Sequence, residues 1–209
     1  SLFRGQRTAK ETQVIEEVIK AANQLAQKRI GALIVFERGT SLAEFMEEGT
    51  ALDATVSKEL LYTIFIPSFE NPMHDGALVI RDGRVWQAGA FLPLAGAVDR
   101  TLGARHRAAL GITQETDAVV VVVSEERGAV SLCFDGNIVR NLDGRSLRDA
   151  LFGLFYRPVR ASRVPPPPTG RISLVGGEGV GTGSRGALEP RDATPTVETK
   201  TPSIKRDKE

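Results

Sequence analysis

Three short clusters in this sequence carry side chains suited to chemistry on phosphate. His74-Asp75-Gly76 sets an imidazole and a carboxylate ahead of a glycine that would let a ligand approach the backbone closely. Arg105-His106-Arg107 puts three donors in a row, and Ser124-Glu125-Glu126 adds a hydroxyl and two carboxylates after a run of valines. Guanidinium groups bind phosphate oxygens with charge-assisted hydrogen bonds. Each cluster also has a plain structural reading: a glycine turn, a solvated charged patch, and a polar hairpin turn continuing into Arg127-Gly128. Position favours the chemical reading. Arg105, His106 and Arg107 fall at an expected helix start, where basic residues oppose the macrodipole unless an anion sits there. Glu125 and Glu126 follow an expected strand, at the carboxyl end where α/β sheets place their sites.

The elements that must position these clusters can be read from pattern. Thr8 and Glu11 form a capping box ahead of an apolar stripe of Ile15, Val18, Ile19, Ala22, Leu25 and Ala26, one face of a helix. Residues 31–36 read as a buried strand. Ser41 and Glu44 suggest a second capping box, with Gly49 ending a short helix, and Ser57 caps a third that stops at Pro67. Residues 77–80 and 85–92 flank Asp82-Gly83, a hairpin signal. A helix is expected over 102–110, a strand over 118–123, a second hairpin over 129–134 and 137–142 about Asp135-Gly136, and a closing helix over 146–155. Helices alternating with strands imply an α/β fold, a central mixed twisted sheet surrounded by helices.

Composition narrows the function classes. Lys and Arg number 27 against 26 Asp and Glu, so no charge field points to nucleic acid or an anionic membrane. The single cysteine, Cys133, follows Val130-Ser131-Leu132 and reads as a buried core thiol. No apolar stretch approaches the roughly 20 residues a membrane-spanning helix needs. The organisation is therefore a linker over 1–7, a folded domain over 8–158 and a Pro/Gly-rich disordered tail over 159–209. That tail holds Gly181-Thr182-Gly183-Ser184-Arg185-Gly186, a formal dinucleotide fingerprint. It lacks the preceding strand and following helix that give the motif its physics. No Cys/His cluster has zinc-ligand spacing.

At the chemical clusters the chain resembles a known family. Met73-His74-Asp75-Gly76-Ala77 is similar to the Asp-Gly-Ala motif of diadenylate cyclases, and Gly103-Ala104-Arg105-His106-Arg107-Ala108 to their Arg-His-Arg motif. Flanking text agrees at Arg29-Ile30-Gly31-Ala32-Leu33-Ile34, Ala51-Leu52-Asp53-Ala54, Phe65-Ile66-Pro67, Leu92-Pro93-Leu94 and Val123-Ser124-Glu125-Glu126. The likeness is nearer to the membrane-anchored type called CdaA or DacA than to the DNA-scanning type called DisA. The resemblance implies condensation of two ATP into cyclic di-AMP with release of two pyrophosphates. It implies a divalent metal, manganese or magnesium, and a homodimer whose facing subunits complete the site. It further implies a membrane anchor ahead of the catalytic domain, at the cytoplasmic side of the membrane, and leaves room for a regulatory protein partner.

The resemblance implies the following roles, carried over by position. Asp75 lies beside the ribose 3′-hydroxyl as metal ligand, base or both. Gly76 and Ala77 line the nucleotide, and Phe91 and Leu92 meet the adenine by ring contact and backbone hydrogen bonds. Arg105, His106 and Arg107 hold the triphosphate, Ser124 touches phosphate, and Glu126 or His74 helps Asp75 hold metal. Two departures from the family stand out: Ala104 replaces a threonine whose hydroxyl would bond phosphate or cap the helix, and Ser68-Phe69-Glu70-Asn71-Pro72 makes a longer approach to the Asp-Gly-Ala motif. The alternative function is a catalytically weakened nucleotide-binding or regulatory module of the same fold.

Overall fold

The computed structural model describes residues 2–96 and 102–156, with side chains from Ala9 onward. Seven strands form one sheet: β1 (Ala32–Phe36), β2 (Thr50–Thr55), β3 (Ala77–Arg81), β4 (Arg84–Ala90), β5 (Val119–Val123), β6 (Val130–Phe134) and β7 (Asn137–Leu142). Their spatial order is β2-β4-β3-β1-β5-β6-β7. Only β1 and β3 pair in parallel; every other neighbouring pair is antiparallel. The helices are α1 (Leu2–Lys28), α2 (Lys58–Phe65), α3 (Ala104–Glu115) and α4 (Gly144–Tyr156), with a 3₁₀ turn over Pro72–Asp75.

The central strands are apolar on both faces because both faces are covered. All five residues of β1 and all five valines of β5 are buried. Alternate residues feed two separate cores. Ile34, Leu78, Val121 and Leu132 pack with α1, α2 and α4 on one face. Leu33, Val35, Val79, Val120 and Cys133 pack with α3 and the Leu92 and Ala95 segment on the other. Cys133 is a core thiol, and burial pushes its pKa up to about 12.

Most expected elements form, for the expected reasons. Ile15, Val18, Ile19, Ala22 and Leu25 are the buried stripe of α1. Ser57 caps α2, its Oγ accepting from the Leu60 N–H at 3.2 Å. Both Asp-Gly turns have positive φ at both residues, 50° and 72° at Asp82-Gly83 and 48° and 69° at Asp135-Gly136. That is the backbone twist a two-residue hairpin needs.

Three expectations are corrected, and one strand is added to those expected. The helix expected to start at Thr8 begins at Leu2, so the presumed cap is helix interior and residues 2–7 are helical. Only Gly5 opposes helix there, at a cost of about 1 kcal/mol. Ser41 to Met46 make turns, not a helix: the Glu37 carboxylate accepts from the Leu42 N–H at 3.0 Å and the Leu42 carbonyl from the Phe45 N–H at 3.0 Å. The stretch at Ala51-Leu52-Asp53-Ala54 is the edge strand β2, bulged between Ala51 and Ala54 and largely exposed, which is why it lacks a strand's apolar signature. Finally, α3 starts at Ala104 and runs on to Glu115 rather than spanning 102–110. The tail assigned from 159 lies outside the described residues.

Candidate functional site at one end of the sheet

Strand register gathers the chemical clusters. Ile34 pairs with Leu78 in parallel, and Ala32 pairs with Val123 antiparallel. These registers bring the start of β3, just after Asp75, and the end of β5, just before Ser124, to the same end of the sheet as Gly31. Ala77 pairs with Ala90, which brings Phe91 to the same end. β3 and β5 flank β1, so with strands roughly 4.8 Å apart the strand ends that carry the two clusters lie about 10 Å apart. This end is the carboxyl end of β4 and β5 but the amino end of β1 and β3. The rule that sites lie at strand carboxyl ends therefore holds for the Ser124 cluster and not for Asp75, because the sheet is mixed.

On one side of this end lies a cavity of about 170 Å³ between the start of α3 and the β5–β6 hairpin. Arg105, His106, Ser124 and Glu126 line it, together with Ala104, Glu125, Arg127, Ser131, Arg140 and Asn141. Gly103 is the residue before the first turn of α3 and no side chain caps that helix end. Ala104 is thus the first helical residue, and it is exposed. A threonine there would be one position past the cap, so its hydroxyl would lie at the cavity and not cap the helix.

Arg105 is held in place from two sides. Its Nη1 donates to Glu125 Oε2 at 2.9 Å. A Cβ at Gly31 would lie 2.5 Å from Nη1, so the absence of a side chain there makes the guanidinium's seat. His106 Nε2 lies 3.2 Å from Ser131 Oγ. Burial, then the positive charges of Arg140 and Arg127, push the His106 pKa below its usual 6.5, against a weaker opposing pull from Glu126. The imidazole is accordingly neutral at pH 7, a hydrogen-bonding group rather than a cation. Arg107, a further 100° around the helix, does not line this cavity; its carbonyl accepts from the Ala95 N–H at 3.1 Å.

The Asp75 cluster sits two strands away. Asn71 caps the 3₁₀ turn, accepting from the Met73 N–H at 3.2 Å and donating to the Ile64 carbonyl at 2.9 Å. The longer approach segment is thereby tied to the end of α2. His74 Nδ1 bonds the Asn71 carbonyl, and Asp75 projects exposed at the turn's end. Gly76 has a stricter reason to be glycine than ligand access: a Cβ there would lie 2.5 Å from the Gly89 carbonyl carbon of β4. Ala77 is buried at the start of β3. The Phe91 backbone exchanges both its hydrogen bonds with Glu47, at 2.9 and 3.2 Å, while its ring is exposed; Leu92 is buried.

Pattern reading did not single out Gly31, Ser131, Arg140 or Asn141 as site residues. Gly31 stood in a recognised stretch, but its role depends on Arg105 arriving from α3. Arg140 and Asn141 arrive only because β7 pairs with β6, and no local signal marks them.

A mixed sheet covered on both faces, with arginines gathered at a small cavity at its end, defines the class as an α/β domain with a basic cavity at one sheet end. The sequence profile of the family described as DAC, DisA bacterial checkpoint controller nucleotide-binding, matches residues 19–138, and the chain belongs to that family. Among its relatives, Cyclic di-AMP synthase CdaA of Bacillus subtilis (strain 168) is 40% identical over 152 residues, which are 72% of this chain and 55% of that protein. Diadenylate cyclase of Listeria monocytogenes serotype 1/2a (strain 10403S) is 40% identical over 150 residues, 70% of this chain and 54% of that protein. The chain thus spans about half the length of these relatives. A crystal structure of a double mutant of DacA from Staphylococcus aureus superposes with a TM-score of 0.65 at 41% identity, covering 70% of this chain and 97% of that one. Among the described residues no helix is long and apolar enough to cross a membrane.

Proposed function

We propose that this chain is the catalytic domain of a diadenylate cyclase, joining two ATP into cyclic di-AMP with loss of two pyrophosphates. The observation that carries the reading is the placement at one sheet end of an exposed carboxylate, Asp75, about two strand spacings from an arginine-lined cavity. At about 170 Å³ the cavity falls below the roughly 300–1,000 Å³ of pockets that hold whole small molecules. It suits a polyphosphate tail, with the nucleoside lying outward across Gly31 toward Asp75 and the base near Leu92 and the Phe91 ring. Since Glu47 occupies the Phe91 backbone, Leu92 supplies any backbone contact to the base.

The chemistry needs two things. A ribose 3′-hydroxyl must lose its proton as it attacks the other ATP's α-phosphorus, and the departing pyrophosphate must be neutralised. Asp75 serves the first as base. Arg105, positioned by Glu125 and Gly31, serves the second, with Ser124 donating to phosphate. His106, neutral and tied to Ser131, fixes the wall of the cavity. Arg107 reaches the nucleotide from outside the cavity. The product is a ring of two equal halves, so two copies of the chain facing one another by their Asp75 surfaces make its natural template.

Among the described residues no group of three or more His, Cys, Asp or Glu is placed to hold a metal ion. His74, Asp75 and Glu126 therefore do not make a ready cage. This fits manganese or magnesium, which bind through one or two carboxylates while substrate phosphates and water complete the shell. Asp75 and Glu126 would be the carboxylates for that purpose, and a bound ion would supply charge neutralisation and a lowered hydroxyl pKa. Incubation of the protein with ATP and manganese, followed by mass spectrometry, tests the reading: cyclic di-AMP and pyrophosphate are expected, and ATP bound but unchanged would instead establish a binding module.

A further inference from the structure

We infer that Arg140 and Asn141 of β7 form a subsite for the terminal phosphates of the nucleotide, gripping the part of ATP that departs as pyrophosphate. The inference deepens the cyclase reading and rests on it for the identity of the natural ligand.

The argument begins with strand pairing. Val130 pairs with Leu142, and Leu132 pairs with Val139. Between these pairs β6 has one residue, Ser131, while β7 has two, Arg140 and Asn141. That is a β-bulge, and Asn141 within it takes a left-handed conformation, with φ of 58°. Bulges re-aim side chains beside active sites. Here the bulge faces the cavity: Ser131, Arg140 and Asn141 all line it, opposite Arg105 and His106 from α3. Arg127 enters from the β5–β6 turn.

Charge pairing divides the cavity's arginines. Arg105 is matched by Glu125 at 2.9 Å. Arg140 lies close enough to His106 to depress its protonation, together with Arg127. Arg127 and Arg140 both line the cavity and, among the described residues, neither is paired with a carboxylate, so an anion of high charge is the ligand that suits them. A single phosphodiester oxygen carries too little charge for this; the terminal phosphates of a triphosphate carry enough. Asn141 adds an amide donor beside Arg140.

The test measures binding of sodium pyrophosphate, ATP and AMP to the parent protein, Arg140→Gln and Arg140→Lys by isothermal titration calorimetry. Arg140 is exposed, so the variants should fold, and unchanged melting temperatures check this. Loss of a charge-assisted contact predicts about tenfold to a hundredfold weaker binding of pyrophosphate and ATP in Arg140→Gln. AMP affinity stays the same, and Arg140→Lys recovers part of the loss because charge remains without the fork. Equal pyrophosphate affinity in parent and Arg140→Gln, no pyrophosphate binding by the parent, or an equal loss for AMP would overturn the subsite. Failure of the parent to make cyclic di-AMP would instead sink the cyclase reading, whatever the pyrophosphate measurements show.

Discussion

Replacing Gly31 with alanine should separate catalysis from stability. The new methyl would lie 2.5 Å from Arg105 Nη1, 2.7 Å from Cζ and 2.8 Å from Glu125 Oε2, against an ordinary contact of 3.4–4 Å. Something must move by about 1 Å, and everything it meets is the far end of a flexible side chain. The backbone at Gly31 is not left-handed, so alanine is tolerated there. Stiffening the unfolded chain contributes about 0.4–1 kcal/mol. Weakening the Arg105–Glu125 pair costs about as much, since its carboxylate is 58% exposed. Net stability should therefore change by less than about 1 kcal/mol, a shift of roughly 2–4 °C at most. Activity should fall much further, because a misplacement of about 1 Å in a positioning group can cost about 100-fold. Gly76→Ala is the contrasting variant. Its methyl meets the Gly89 backbone at 2.5 and 2.7 Å, which cannot yield without distorting the sheet, so it should lose about 1–3 kcal/mol. Thermal denaturation with chromatographic assay of cyclic di-AMP reads both effects. A fully active Gly31→Ala protein would show that the seat of Arg105 does not matter to the reaction.

Other consequences are open to simple measurement. Asp75→Asn, exposed at the end of its turn, should keep the melting temperature within a few degrees and abolish product formation; retained activity would remove Asp75 from the mechanism. With only two histidines, proton NMR can follow His106, which should titrate below 6.5. Its folded pKa is depressed, so its contribution to stability is complete above about 6.5 and is lost as pH falls from there through the folded value, the unfolded state binding the proton first. A His106 that titrates at or above 6.5 would contradict the burial seen. Cys133, with its thiol pKa raised to about 12, should resist maleimide in the native protein and react on unfolding. Ala104→Thr should tighten ATP binding by about 1.5–3 kcal/mol at most, through a hydroxyl facing phosphate, with no gain in helix capping; equal affinities would show the position idle.

Local pattern was enough for much of this protein. The 3.6-residue stripe of α1, the valine run of β5, the Ser57 cap and the two Asp-Gly turns are short-range signals with short-range causes. Motif spacing likewise marked Asp75, Arg105, His106 and Ser124 before any geometry was known. Where local reading failed, the deciding contact was distant in sequence. The 41–46 segment makes turns because Glu37 and Asp117 hold the backbone around it, Asp117 accepting from the Gly39 and Thr40 N–H groups at 3.0 and 2.9 Å. β2 exists because β4 offers an edge to pair with, not because its own residues favour a strand. The same holds for the site. Sequence alone names residue types, but the parallel pairing of β1 with β3 and the antiparallel pairing of β1 with β5 bring Asp75, Gly31 and Ser124 to one end of the sheet. Arg140 enters the cavity only through the bulge on β7. Register and handedness across a sheet are properties of several strands at once, so no single stretch of chain can encode them.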